Sequence, residues 1–143
     1  MDTKRMALIF GIVFLAIGIL GFVPGMVQPP AADDPDVAVD AGYGRLLGLF
    51  PVNVLHNIVH LLFGLWGLAA SRSFDGARGY FKVVAVAYAL LTVMGLLPPP
   101  ASTTFGLVPI HHHDVWLHAA LALVAAYFGF RRADARSTAA ARA

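Results

Sequence analysis

The sequence predicts an all-α fold, an integral membrane four-helix bundle built from two tandem helical hairpins that form a parallel repeat. Three observations predict this fold. Of the 143 residues, 59% are hydrophobic and 13% are charged, a balance outside the range of soluble globular proteins. Four apolar segments are long enough to cross about 30 Å of hydrocarbon. A pattern of apolar and polar residues also recurs along the chain. The length suits a single transmembrane domain over residues 1–143.

The four predicted spans cover residues 6–23, 46–70, 80–97 and 107–130. An outer loop, residues 24–45, connects the first two spans and is rich in Pro and Asp. Its prolines exclude a regular helix. Because long loops without structure are uncommon in compact domains, we expect an ordered cap or a partner contact. A polar tail, residues 131–143, follows the last span.

The Lys and Arg residues indicate the orientation of the spans. Of the ten such residues, only Arg45 lies on the side of the outer loop. Cytoplasmic segments of membrane proteins carry the excess of Lys and Arg. The sequence therefore predicts that the N terminus and the polar tail face the cytoplasm.

Residues Gly48–His60 and Gly106–His118 form two copies of one pattern at an offset of 58 residues. The preceding helices also correspond, because Gly21–Pro24 matches Gly95–Pro98 at an offset of 74 residues. The two offsets differ by the extra length of the first outer loop. Each copy contains two spans, so we expect the copies to be related by an axis along the membrane normal.

Each copy carries a stripe of polar side chains on its second helix, because the spacing i, i+3, i+7 places residues on one helix face. Lipid cannot satisfy polar groups, so we expect both stripes to face the bundle interior. Counted from Leu49 and Leu107, His60 and His118 each lie eleven residues in, which is about 16 Å along a helix and near the membrane midplane. The stripes consist of Asn53, His56 and His60, widened by Asn57, and of His111, Asp114 and His118.

Three interpretations of the stripes are open. In the first, the polar side chains hydrogen-bond one another and join the helices. In the second, histidines hold haem b or the magnesium of a (bacterio)chlorophyll, with neighbouring polar groups as partners. In the third, Asp114 belongs to a path for protons or a small solute. For the second interpretation, the axial ligands would be His60, His118 and His56, and their partners Asp114, Asn53 and Asn57.

Composition and spacing exclude several classes of site. Cysteine is absent, which excludes disulfides, thiolate metal sites and covalently attached haem. Three consecutive histidines, His111–His113, cannot share an ion on a helix, because neighbouring side chains point about 100° apart. No metal site is therefore predicted. The basic residues form no single patch, so we expect no nucleic acid partner. Because no catalytic motif is found, we expect no enzymatic activity.

Residues Leu47–Leu61 and Asp114–His118 resemble the signature of the domain-of-unknown-function 4383 family. Gly21–Pro24 and Gly67–Ala69 also fit that family, and the resemblance extends over residues 6–130. It implies a small bacterial four-span membrane protein and implies no activity. The polar positions that match the family are Asn53, His56, Asn57, His60, Asp114 and His118.

Together, these observations predict a non-catalytic, multi-pass protein of the bacterial inner (cytoplasmic) membrane. Its expected partners are the lipid bilayer and other membrane-protein subunits. The predicted role is that of an accessory or structural subunit in a larger membrane complex.

Overall fold

The computed structural model describes residues 2–131 of the chain. The long helices are α1 (Thr3–Leu20), α2 (Val54–Ala70), α3 (Phe74–Gly95) and α4 (His113–Phe130). A short 3-10 helix covers Ala101–Thr103, and the strands are β1 (Val27–Gln28), β2 (Gly44–Leu46) and β3 (Phe50–Val52). Apart from Arg131, the predicted tail of residues 131–143 lies outside the described residues.

The helices confirm the prediction of a membrane protein. By length and composition, α1, α3 and α4 can cross a membrane, and α2 is a shorter apolar helix of 17 residues. At 1.5 Å per residue, α2 measures about 26 Å, which is most of the hydrocarbon thickness. We call the end where α1 starts and α4 finishes the open end. Residues 21–53 and 96–112 cover the opposite end, and we call them the cap.

The cap contains a small antiparallel sheet, which corrects the all-α prediction and the start of the second span. Residues 46–53 were expected in that span, but β2 pairs with β3, with Leu46 opposite Phe50. The turn between these strands needs positive φ angles at Leu47 and Gly48, +54° and +74°, which a helix does not allow. The fourth span was likewise placed too early, because α4 begins at His113 rather than at residue 107.

Small residues bring paired helices close together. A Cβ atom added at Gly11 of α1 would lie 2.7 Å from the backbone nitrogen of Leu68 in α2. One added at Gly129 of α4 would lie 2.9 Å from the backbone nitrogen of Lys82 in α3. Glycine is therefore required at both contacts, as is common where membrane helices pack through small residues. The resulting pairs are α1 with α2 and α3 with α4.

Aromatic rings fill the centre where the two helix pairs meet. Phe14 of α1 stacks on Tyr88 of α3, with ring centroids 5.7 Å apart and planes inclined by 15°. The edge of the Phe14 ring contacts His60 at 5.6 Å, and Tyr88 contacts His118 at 4.9 Å in the same manner. Such edge-to-face pairs are favourable arrangements for aromatic rings. These contacts fix the depth of both histidines within the bundle.

An ion pair holds the long segment of the cap. The Arg45 guanidinium donates to both oxygens of Asp34, at 2.6 Å and 2.9 Å, and the Ala31 N–H donates to the same carboxylate at 2.8 Å. Burial raises the pKa of Asp34, but the hydrogen bonds from Arg45 and Ala31 outweigh it, and the net pKa is below its ordinary 3.8. The stabilisation is therefore present above pH 3.8 and is lost as pH falls through the lowered pKa.

We expect Asp34→Asn to lower the melting temperature of the purified protein in detergent by roughly 5 °C. The substitution replaces the buried carboxylate by a neutral amide, so the Arg45 guanidinium loses its negatively charged partner. Asp33→Asn is the matched control, because the Asp33 side chain is 76% exposed and lies 3.7 Å from the same guanidinium. Equal melting temperatures for the two variants would contradict this account of the cap.

Candidate functional site

Side chains from α2 and α4 meet in the bundle interior, next to the cap. His56, Asp114 and His118 are buried, with exposed fractions of 4%, 3% and 2%. Each offers one atom that could ligate a metal, and these atoms all lie within 4.8 Å of one another. His60, one turn further along α2, is also buried. The fold thus brings together four of the predicted site residues, which we call the inner cluster.

Backbone carbonyls set the tautomers of two of these histidines. Nδ1 of His56 lies 3.0 Å from the carbonyl oxygen of Pro51, and Nδ1 of His60 lies 3.0 Å from that of His56. A carbonyl oxygen can only accept a hydrogen bond, so Nδ1 carries the hydrogen in both rings. Each ring therefore has an unprotonated Nε2 when it is neutral.

Several polar atoms of the inner cluster lie close together without hydrogen bonds between them. Nε2 of His56 lies 3.9 Å from Oδ2 of Asp114, which is too far for a direct hydrogen bond. Among the described residues, neither Oδ2 of Asp114 nor Nδ1 of His118 has a hydrogen-bond partner. Buried polar atoms without partners are rare and call for an explanation. A proton or a cation between His56 and Asp114 would supply it.

Packed rings separate the inner cluster from the open end of the bundle. The rings of His56 and His60 stack at 4.6 Å. Beyond them, Phe10, Phe14 and Phe81 pack edge to face and are buried. This packing favours a site with one closed end over the predicted path for protons or a solute across the bundle.

A cavity of about 150 Å³ adjoins the inner cluster, and its polar lining comes from His60, Asp114 and His118. Sites for drug-sized ligands measure about 300–1,000 Å³. Haem b and (bacterio)chlorophyll need a site of at least that size, so the cavity does not fit them. A cavity of about 150 Å³ is known to hold one benzene molecule. The geometry therefore favours an ion or a single ring over the tetrapyrrole of the second interpretation.

Comparison with known proteins identifies the family. The family model described as "Domain of unknown function (DUF4383)" matches residues 4–131. The chain belongs to this family. The resemblance inferred from the sequence motifs is thereby confirmed. No curated protein and no solved structure matches the chain.

In this DUF4383 protein, the two predicted asparagine partners serve the scaffold. Asn53 lies at the N-cap of α2, where its Oδ1 accepts the His56 N–H at 2.9 Å. Its Nδ2 donates to the carbonyl oxygens of Val39 and Leu107, at 2.9 Å and 2.7 Å. The amide of Asn53 is therefore fully used by backbone groups. Its predicted place inside the second span is wrong.

Asn57 joins α2 to the end of α1. Its Nδ2 donates to the carbonyl oxygen of Gly21 at 3.0 Å. A Cβ atom at Gly21 would overlap the Asn57 side chain, so the contact depends on glycine. Asn57 thus contributes to the spacing of α1 and α2, and its Oδ1 is buried without a hydrogen-bond partner among the described residues.

The cap holds a second cluster, formed by Asp34, His111 and His112, which we call the outer cluster. Nε2 of His112 lies 3.2 Å and Nδ1 of His111 lies 3.8 Å from Oδ1 of Asp34. The prediction that His111 belongs to the stripe on α4 is wrong, because His111 precedes that helix. Sequence reasoning also missed Asp34. The available signal was Arg45, the only basic residue predicted on the outer side and therefore in need of a carboxylate.

The arrangement of the outer cluster disfavours a cation. Arg45 already places a guanidinium on both oxygens of Asp34, so a metal ion there would meet a fixed positive charge. Burial, and then the neighbouring His112, lower the pKa of His111 to about 4 from its ordinary 6.5, although Asp34 acts in the opposite direction. His111 is therefore neutral in the folded cap at neutral pH.

This lowered pKa predicts a pH-dependent stability. A histidine whose pKa is lowered by folding makes its full contribution to stability at pH values above its ordinary pKa. That contribution is lost as pH falls from 6.5 towards 4. We expect the melting temperature to drop over this range, and to drop less in His111→Gln. His113→Gln, at an exposed neighbouring position, should behave like the unsubstituted protein. Parallel pH profiles for all three proteins would refute the role of His111.

Proposed function

We propose that this membrane protein binds one divalent transition-metal ion of the Zn²⁺ type inside the bundle. The ligands would be His56, Asp114 and His118. The observation that carries the proposal is their convergence, since three buried ligand-type atoms from two helices lie within 4.8 Å of one another. This proposal replaces the sequence prediction of no metal site. That prediction considered the tract His111–His113 as a metal site and considered the two stripes only as ligands of a haem or pigment.

The chemistry of the donor set supports this class of ion. Two imidazoles and one carboxylate are common ligands of Zn²⁺ and of related first-row metals. The Pro51 carbonyl holds Nδ1 of His56 at 3.0 Å, which directs Nε2 towards Asp114. Hydrogen bonds of this kind orient most metal-binding histidines. The negative charge of Asp114 would offset part of the charge of the ion in this apolar setting.

The distances require only a small contraction. Ligand atoms around a tetrahedral Zn²⁺ are about 3.4 Å apart, given metal–ligand bonds of about 2.0–2.1 Å. The His56–Asp114 separation is 3.9 Å and all three ligand atoms lie within 4.8 Å of one another, so metal binding would draw each pair together by at most about 1.4 Å. Three protein ligands would leave a fourth position towards the cavity. An open position of this kind distinguishes a site that receives another ligand from a purely structural one.

The test is a metal titration of the purified protein in detergent. His112→Gln serves as the background, because it removes the exposed member of the outer cluster. We expect this protein to bind one Zn²⁺ per chain and to give the intense visible absorption of tetrahedral Co²⁺. At a free Zn²⁺ concentration a hundredfold above the dissociation constant, its free energy of unfolding should rise by about 2.7 kcal/mol. Adding Asp114→Asn, which keeps the side-chain shape, should abolish the Zn²⁺ binding, the Co²⁺ absorption and the stabilisation.

Two results would overturn the proposal. One is the absence of stoichiometric Zn²⁺ in the His112→Gln protein, which would leave a shared proton as the explanation of the inner cluster. The other is Zn²⁺ binding that survives Asp114→Asn but disappears in Asp34→Asn, which would move the site to the outer cluster. The melting temperature of each metal-free variant shows that it is folded before it is titrated.

We further infer that the two hairpins arose by duplication and are related by a two-fold axis. The Phe14–His60 contact of the first hairpin has its counterpart in the Tyr88–His118 contact of the second, at the sequence offsets of 74 and 58 residues. An experimental structure whose hairpins do not superpose by rotation would refute this inference. The backbone supports it too, since matched positive φ angles occur at Leu47, Gly48, Phe105 and Gly106.

We also propose that the open end faces the cytoplasm of a bacterial inner membrane. The basic residues of α1, of α3 and of the turn between α2 and α3 lie at that end. Arg131 donates a hydrogen bond to Thr3 there at 3.0 Å. This placement agrees with the excess of Lys and Arg in cytoplasmic segments. Because the chain has no cysteine, single cysteines report orientation directly. We expect an impermeant thiol reagent outside intact cells to label Asp33→Cys but not Asp75→Cys. The reverse pattern would invert the topology.

The accessory-subunit role stays a prediction. Metal binding inside the bundle is compatible with it, because the inner cluster leaves the lipid-facing surface of the helices free for other subunits.

A further inference from the structure

The cavity beside the inner cluster lies between α1 and α4 and is roofed by the β2–β3 hairpin. Val13 and Ile17 line it from α1, and Leu121 lines it from α4. The helices in extensive contact are α1 with α2 and α3 with α4, and α1 and α4 are not among these pairs. Val13 is 45% exposed and Leu47 of the roof is 55% exposed. The gap between α1 and α4 therefore opens the cavity towards the bilayer.

The polar floor of the cavity includes one defined hydrogen-bond acceptor, Nε2 of His60. The hydrogen on Nδ1 of His60 is used by the His56 carbonyl, so the nitrogen left for the cavity is the unprotonated Nε2. Asp114 and His118 also line the floor. A molecule that satisfies Nε2 of His60 must bring an O–H or N–H donor, since leaving a buried acceptor unpaired on binding is costly.

The size of the cavity limits the ligand to one ring. About 150 Å³ is the volume that accommodates benzene in an apolar protein cavity. The remaining walls are aliphatic or aromatic, so the ring itself would be buried against apolar surface. A tail longer than the ring would have to leave through the gap between α1 and α4, where lipid chains lie.

We propose that this cavity binds the ring of a membrane-soluble phenol or hydroquinone. The ring hydroxyl donates to Nε2 of His60, and the apolar tail extends into the bilayer between α1 and α4. The proposal does not depend on the metal ion, because His60 is not among the proposed metal ligands and its Nε2 accepts a hydrogen bond in the metal-free protein.

The experiment uses the protein in lipid nanodiscs after removal of metal ions with EDTA. The probes are 4-heptylphenol and 4-heptylanisole, which differ by the methyl group that removes the donor. Binding is measured by equilibrium dialysis against empty nanodiscs. We expect the phenol to bind at least about tenfold more tightly than the anisole, the ratio that one buried hydrogen bond to an acceptor supplies.

Matched substitutions locate the binding. Leu121→Trp fills the cavity and should abolish the preference for the phenol, whereas Leu123→Trp, at a position 74% exposed on the same helix, should leave it unchanged. Equal binding of the two probes to the unsubstituted protein would overturn the proposal without need of any variant. Preference retained in a folded Leu121→Trp protein would also overturn it. Zn²⁺ binding is measured separately on the same variants, so failure of one proposal is distinguishable from failure of the other.

Discussion

The hydrogen bonds of Asn53 are the interaction on which the rest of the structure depends. This one fully buried amide caps α2 and binds the carbonyl oxygens of Val39 and Leu107, which belong to the two segments of the cap. Near the hydrocarbon, backbone groups that leave regular structure must find partners inside the protein. Asn53 supplies these partners. It thereby fixes the start of α2, where His56 lies in the first turn, and the path of the segment that leads into α4.

The chemistry of the interior follows from that placement. The cap carbonyl of Pro51 and the helix carbonyl of His56 both take the hydrogen of an imidazole Nδ1. Nε2 of His56 then lies 3.9 Å from Oδ2 of Asp114, which has no hydrogen-bond partner in the described chain. The inner cluster thus holds unprotonated imidazole nitrogens inside an apolar bundle. In our proposals, a metal ion would bind at His56, and a hydroxyl would donate to His60 on the side of the cavity.

Sequence reasoning reached the four helices and the polar positions, because hydropathy and helical spacing are local signals. The offset of 58 residues placed His60 and His118 at corresponding depths, and the structure has both in contact with the central aromatic pair. The cap escaped prediction for a physical reason. Residues 46–52 are as apolar as a membrane span, but the turn at Leu47–Gly48 breaks the helix and pairs the flanking residues as two short strands. The Asp34–Arg45 pair and the position of His111 depend on tertiary contacts, which no local pattern encodes.

The central claim is that the neutral inner cluster presents bare imidazole nitrogens to the interior. Nitrogen-15 NMR of the metal-free protein, labelled in its histidine rings, measures this directly. The account predicts that His56 and His60 carry hydrogen on Nδ1 only, with Nε2 unprotonated. Finding the hydrogen on Nε2 of His56, or an imidazolium at that position at neutral pH, would contradict it, because the acceptors would then already be satisfied by protons.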